Sequence, residues 1–399
     1  GIFYSFELSN FSRTANLTRL LACSDEEQQK YPPENLHGIG PTFVHRNLRD
    51  DPLVDETGYP SYNKPYSLMA WLEAERPLAA MSPADREEDE FILMTDADML
   101  FRTPIDAVAL GAARGVVVSA EYTYLVGTQT GFAERFIARD LVPRLAQVGG
   151  FHIFHREDLR AIAPMWLEYT KQVRAFAHAD PEAFFRESMA PLAVEDEPMR
   201  PVRQKQAKWH SEMYGYVFAA AEVGVTHRIR RDVMLYPSYE PYLGRLPSIM
   251  HYGSDYTLGR TYFNKMAHQQ LRLETCPGFL FDDPGLTHLD QLSKKDALTL
   301  EHLATLNAAF CDFYANHANC STLPARCGAR DGTGSVFLQQ LQDLRPALMR
   351  CSDEHEHAVV AHAQTGQVAE PLHRTRLRKG GREPLGRVAA CVRLDRHCQ

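Results

Sequence analysis

The sequence predicts an α/β domain built on a mostly parallel sheet, and three features predict it. Short continuous apolar runs recur through the first half of the chain, and a capped helical segment sits between them. One of the runs ends abruptly in acid, as strands do where ligands gather at the carboxyl edge of an open sheet. The chain has 399 residues, 44% hydrophobic and 24% charged, an ordinary globular balance with enough length for a buried core. A net charge of −8 gives no basic excess for a nucleic acid partner. No apolar run reaches the roughly 18 residues that would span a bilayer.

Taken in order, Gly1–Phe6 and Pro41–His45 read as strands, as do Phe91–Thr95 and Gly115–Ala120 with its three valines. Asn63 is a good N-cap and Pro65 suits a first turn, so Tyr66–Glu75 reads as a helix. His155–Phe176 reads as a long helix that Pro164 breaks or kinks. Ala177–Lys208, rich in charge and proline, reads as a mobile excursion. Ser211–Gly224 is apolar nearly all round, which predicts a buried helix ended by Gly224, and Thr226–Tyr236 follows as a strand. Ser293–Ala315 carries Leu298, Leu300, Leu303, Leu306 and Phe310 on one stripe and reads as a helix. Beyond Cys351 there is no periodicity, so an irregular tail is expected.

Seven of the eight cysteines lie from Cys276 onward, and no pair has Cys-x-x-Cys spacing, which argues against a zinc ribbon. Disulfides in an oxidising lumen and scattered reduced thiols both fit the count. Three N-glycosylation sequons, at Asn10, Asn16 and Asn319, favour the lumen. The sequence opens at Gly1 without an initiator Met, which leaves room for a signal or anchor upstream.

Asp96-Ala97-Asp98 is the acid that ends the third apolar run. Two carboxylates at i and i+2, where the chain leaves a strand, can turn toward one hard cation that bridges to substrate phosphates. A polar turn capping the next segment is the other reading. A dehalogenase-type phosphatase is set aside, since 95 residues precede the motif and Met99 follows it. Glu212 is an acid in an apolar helix. It is either a first-turn residue favoured by the helix dipole or a buried acid that handles an acceptor hydroxyl. His251, after an apolar approach, is a candidate third metal ligand or a structural histidine. Lys64 beside Asn63, Lys265 and Arg19 are candidate ligands for a donor diphosphate or ordinary surface cations. Gly149-Gly150 is a point of close backbone approach to a sugar or a simple turn. Tyr122, Tyr124, Tyr214, Tyr216, Tyr239 and Tyr242 are either core or the lining of a groove for a polyproline-II-like peptide.

Several segments together resemble the peptidyl serine α-galactosyltransferases of plants and green algae. They are LTRLLACSDEE (17–27), PTF (41–43), YPSYNKP (59–65), FILMTDADMLFRTPI (91–105), YLVG (124–127), VGGFHIFHREDLRAIAPMWLEYTKQVR (148–174), SEMYGYVFAAAEVGVTHRI (211–229), LYPSYEP (235–241) and IMHYG (249–253). Order and spacing hold over roughly residues 1–270, with an echo in LEHLATLNAAF (300–310). The related hydroxyproline O-arabinosyltransferases share PTFV and EMYGY.

The resemblance implies a GT-A-type glycosyltransferase fold, a Rossmann-like sheet flanked by helices with a helical and irregular C-terminal extension. It divides the chain into a catalytic domain (1–270), a helical, cysteine-containing extension (271–350) and a tail (351–399). It implies retaining transfer of galactose from UDP-galactose to serine hydroxyls of hydroxyproline-rich, extensin-like glycoproteins. Asp96, Asp98 and His251 would hold Mn²⁺, with Mg²⁺ as the other fitting ion. Arg19, Asn63, Lys64, Asp96, Gly149, Gly150 and Lys265 would lie at the donor, and Glu212 at the acceptor. The compartment implied is the endoplasmic reticulum or Golgi lumen, with any membrane attachment through a segment outside this chain. Arabinosyl transfer from UDP-arabinofuranose to hydroxyproline is the second reading, and a non-catalytic nucleotide-sugar-binding or scaffold protein the third. One departure from the family pattern is a stretch between Glu7 and Leu17 that is shorter by roughly a helix, where part of the nucleotide pocket is expected.

Overall fold

The computed structural model describes residues 1–28, 39–54, 56–75, 90–189, 207–268, 270–318, 320–345, 348 and 388–391. In chain order, the elements used below are α1 (Ile2–Leu8), β1 (Leu17–Cys23), β2 (Thr42–Arg46), α2 (Asn63–Ala74), β3 (Phe91–Met94), β4 (Met99–Phe101), β5 (Val116–Glu121) and β6 (Val148–His155). Then come α3 (Arg156–Ala179), α4 (Pro181–Met189), α5 (Ser211–Val223), β7 (Thr226–Ile229), β8 (Met234–Leu235), β9 (Ile249–His251), β10 (Tyr256–Leu258), β11 (Thr261–Phe263), α6 (Lys294–Asp312) and β12 (Val388–Cys391). The elements fall into two compact units.

The first unit comprises Ala15–Asp98, Ile105–Met234 and Gly386–Gln399. It has a four-stranded sheet in the order β3-β6-β5-β7 and a three-stranded sheet in the order β12-β1-β2. The α/β class holds, but the larger sheet is mixed rather than mostly parallel. β6 runs antiparallel to both β3 and β5, and only β5 and β7 pair in parallel. A strand covered on both faces reads as a continuous apolar run whichever way it points, so direction was not encoded in the pattern. The reversed strand is also the one whose Gly149-Gly150 step reads as a turn. Its eight residues are all buried.

The segment around Pro164 stays one helix of 24 residues, α3. Its buried face carries Leu159, Ile162, Ala163, Trp166, Thr170 and Val173 and packs on α5, which outweighs the one backbone bond that proline removes. The two helices approach closely at Gly215, where a Cβ would stand 2.3 Å from Thr170 Oγ1 and 2.7 Å from the Thr170 backbone nitrogen. α5 ends at Gly224 as its composition predicts. Part of the expected excursion after Ala177 is helix, since α4 buries Phe184 and Phe185. Residues 190–206 of it lie outside the described residues. The expected strand Thr226–Tyr236 is two short strands, β7 and β8, separated by bends around Asp232. Tyr214 and Tyr216 are fully buried in this unit, Tyr216 between the rings of His152 and Trp166. They belong to the core and not to a peptide groove.

The second unit comprises Gly1–Thr14, Met99–Pro104 and Leu235–Leu385. Its N-terminal segment is helix α1, not the expected strand. Short apolar runs do not distinguish the two, and here Ile2, Ser5 and Phe6 bury one helical face, with Phe6 against the rings of Phe11 and Phe101. Sheet β4-β9-β8 and hairpin β10–β11 pack in a core with α6, whose Leu298, Leu300, Leu303 and Leu306 are buried as the stripe predicts. Each such leucine contributes about 2 kcal/mol. Disulfides Cys276–Cys320 and Cys311–Cys327 staple this unit, closing loops of 44 and 16 residues. Each restrains the unfolded chain by roughly 3–4 kcal/mol. Cys23, in the first unit, is fully buried. Asn319 and most of the tail after Cys351 lie outside the described residues, and none of the described helices is long and apolar enough to cross a membrane.

Candidate functional site

β3 is a run of four buried apolar residues, and Asp96 follows one residue after its end. The half-buried Asp96-Ala97-Asp98 turn therefore sits at the carboxyl edge of the β3-β6-β5-β7 sheet. α2 supplies Lys64 from its first turn. The ammonium lies 3.0 Å from Asp96 Oδ1 and 3.4 Å from Glu212 Oε2. All three side chains are sheltered, with exposures of 10% for Lys64, 17% for Asp96 and 3% for Glu212. One cation thus stands between two carboxylates in the first unit. The approach of Lys64 to Asp96 is ionic.

Glu212 is a buried acid and not an exposed first-turn residue. Its position is over-determined by its own backbone. The Trp166 indole donates to the Glu212 carbonyl at 2.9 Å, and the Glu212 N–H donates to the Tyr59 hydroxyl at 3.0 Å. Tyr59 in turn donates to the Trp209 carbonyl at 2.9 Å. Burial, and then the charge of Glu212, push the Tyr59 hydroxyl up to about 12, so it stays a donor. The Arg174 guanidinium lies 4.0 Å over the Tyr59 ring and is itself paired with Glu56. On the strand side, His152 of β6 is held well below its ordinary range by burial, with His227 and Lys64 adding to the effect. It is a neutral ring that shares a 2.7 Å hydrogen bond with Ser119.

The other expected donor residues of this unit also hold contacts within it. Asn63 does not cap α2. Its Oδ1 accepts from the Leu48 N–H at 2.7 Å, and its amide donates to Asn47 at 2.8 Å. Arg19 on β1 donates to Thr42 Oγ1 at 2.8 Å. Gly149 carries the Tyr122 ring, since a Cβ there would fall 2.1 Å from Tyr122 Cδ2. Gly150 has φ +72° and faces Met234. The close approach at this pair is made by a tyrosine of the same unit.

In the second unit, β4 and β9 pair antiparallel with Met99 opposite His251. Met99 is the residue that follows Asp98 in the chain. His251 is buried, and its ring lies 4.6 Å from that of Tyr236. Arg102, at the end of β4, pairs with Glu301 of α6 at 2.5 Å and donates to the Pro247 carbonyl at 2.6 Å, which fixes the ladder to the helix. Lys265, itself half-buried, opens a 3₁₀ turn after β11. Sequence reasoning missed Tyr59, Trp166 and Tyr236 as positioning residues. Each lies inside a segment that carries the family resemblance, which was the available signal.

Residues 7–189 match the hydroxyproline O-arabinosyltransferase family N-terminal domain. The chain is 30% identical over 357 residues to a peptidyl serine alpha-galactosyltransferase of Chlamydomonas reinhardtii, covering 79% of this chain and 44% of that protein. It is 31% identical over 315 residues to its namesake in Arabidopsis thaliana, covering 77% of this chain and 35% of that protein. The hydroxyproline O-arabinosyltransferase PLENTY of Lotus japonicus is a further relative, 28% identical over 226 residues, with 55% of this chain and 51% of that one covered. The chain spans less than half the length of the two galactosyltransferases.

Proposed function

We propose that this relative of the peptidyl serine alpha-galactosyltransferases is itself a glycosyltransferase. It moves galactose from UDP-galactose to serine hydroxyls of hydroxyproline-rich proteins with retention of configuration, on a GT-A-type fold. Catalysis is assigned to residues 1–270, with 271–350 as an extension and 351–399 as a tail. The observation that carries the reading is the Asp96–Lys64–Glu212 constellation at the end of β3, where a strand delivers acid to the carboxyl edge of a sheet.

Asp96 and Asp98, two carboxylates where the chain leaves β3, suit Mn²⁺, with Mg²⁺ as the other fitting ion. The fit rests on the donor chemistry of the two carboxylates, and Asp96 Oδ1 is the oxygen that the Lys64 ammonium approaches at 3.0 Å. The ion, when bound, supplies positive charge to the donor diphosphate. Lys64 adds a second positive charge from its sheltered position beside Asp96 and stabilises the anion that develops on UDP. Glu212, fixed at both its backbone N–H and carbonyl, orients the acceptor hydroxyl. No strong protein base is required where the departing phosphate oxygen itself takes the acceptor's proton. Two disulfides support an oxidising compartment, the endoplasmic reticulum or Golgi lumen.

A second reading, transfer of arabinose from UDP-arabinofuranose to hydroxyproline, is favoured by the family match over residues 7–189. The test is a panel of UDP-sugars with Mn²⁺ against a Ser-(hydroxyproline)₄ peptide, product read by mass spectrometry. We expect a single hexose on serine. A pentose on hydroxyproline, with serine unmodified, selects the second reading. Calorimetry with UDP and Mn²⁺ separates both from a scaffold, which would bind neither.

A further inference from the structure

The segment between β8 and β9 presents three large apolar side chains to solvent within five residues. Tyr239 is 58% exposed, Tyr242 42% and Leu243 60%, and only six other described large apolar residues are comparably exposed. The segment is nonetheless held in a defined shape. Ser238 and Leu243 have φ of +71° and +49°, a conformation unfavourable for a non-glycine residue that persists only where surroundings fix it. The Ser238 N–H donates to Thr299 Oγ1 at 2.8 Å, and Lys294 Nζ donates to the Gly244 carbonyl at 2.7 Å, both from α6. The Tyr239 ring touches that of Tyr236 at 5.8 Å, and Tyr236 lies on His251. A row of rings therefore runs from His251 to the surface inside one unit.

We propose that Tyr239, Tyr242 and Leu243 form a platform for the acceptor, an extended hydroxyproline-rich peptide in the polyproline II conformation. The proposal rests on the glycosyltransferase reading above and adds to it where the peptide is held. Consecutive prolyl-type residues adopt this helix without internal hydrogen bonds, so their ring faces and carbonyls are open to a partner. Tyrosines meet both needs, with an apolar face for the pyrrolidine rings and a hydroxyl for a carbonyl. A loop already held in a strained shape loses little freedom on binding. The same row of rings leads to His251, so a peptide lying on the platform extends toward a proposed metal ligand.

The test uses the whole chain and a fluorescein-labelled Ser-(hydroxyproline)₄ peptide. The double variant Tyr239→Ser/Tyr242→Ser is expected to weaken binding, read by anisotropy, by about tenfold or more. It should raise the acceptor KM correspondingly with little change in kcat or donor KM. Tyr239→Phe/Tyr242→Phe should keep most of the affinity, and a Gly/Ser peptide of equal length should not bind. Normal transfer with an unchanged acceptor KM in the serine variant overturns the platform and leaves the glycosyltransferase reading intact. Tyrosine-dependent peptide binding in a protein that transfers no sugar keeps the platform and overturns that reading. A serine variant that binds peptide normally but loses self-association on gel filtration makes a second copy the occupant and also overturns the proposal.

Discussion

Asp98→Asn is expected to lower Mn²⁺-dependent turnover of the UDP-sugar by about a thousandfold or more while the protein stays folded. The substitution keeps shape and removes one negative charge from the proposed donor set. Asp98 is half-buried on a turn, so the core does not depend on it. Asp96→Asn should cost as much activity and somewhat more stability, because it also removes one of the two carboxylates around Lys64. Both variants should lose calorimetric Mn²⁺ binding and keep the far-ultraviolet circular dichroism of the parent. Full activity in Asp98→Asn would remove the motif from the mechanism.

The second large effect concerns Lys64. Methionine in its place keeps the length of the side chain and leaves Glu212 and Asp96 facing each other without the ammonium. Removing one partner of a sheltered ion pair costs about 3 kcal/mol, because the remaining charge stays buried. We therefore expect Lys64→Met to lower the unfolding free energy by about that amount in EDTA. Mn²⁺ at roughly a hundred times its Kd should restore about 2.7 kcal/mol by mass action. Adding Glu212→Gln to Lys64→Met should recover much of the loss without metal, since only one carboxylate then needs compensation. Urea unfolding of the single and double variants, with and without Mn²⁺, measures each quantity. A Lys64→Met protein as stable as its parent in EDTA would show that the constellation is not held together by charge.

Much of this site was legible in the sequence. An apolar run stopped by acid gave the strand and the sheet edge where the candidate site lies, while the apolar helix left Glu212 either buried or at an exposed first turn, and packing decides for burial. What was not legible has physical causes. A run such as Gly1–Phe6 is too short for periodicity to distinguish helix from strand, and only packing against Phe11 and Phe101 decides it. Gly149-Gly150 read as a close backbone approach or a turn, and the ring that needs the missing Cβ, Tyr122, is too distant in sequence to be foreseen there. Asn63 carries the chemistry of a helix cap, yet it satisfies Leu48 and Asn47, partners that only the tertiary fold brings near. The tyrosines separated by burial. Tyr214 and Tyr216 became core, while Tyr239 and Tyr242 stayed at the surface.

The two disulfides interleave along the chain, with cysteines in the order 276, 311, 320 and 327 and bonds joining the first to the third and the second to the fourth. Every peptide bond between Cys276 and Cys327 is therefore bridged by at least one of them. A protease that nicks this stretch leaves a single covalent molecule, whose fragments separate only after reduction.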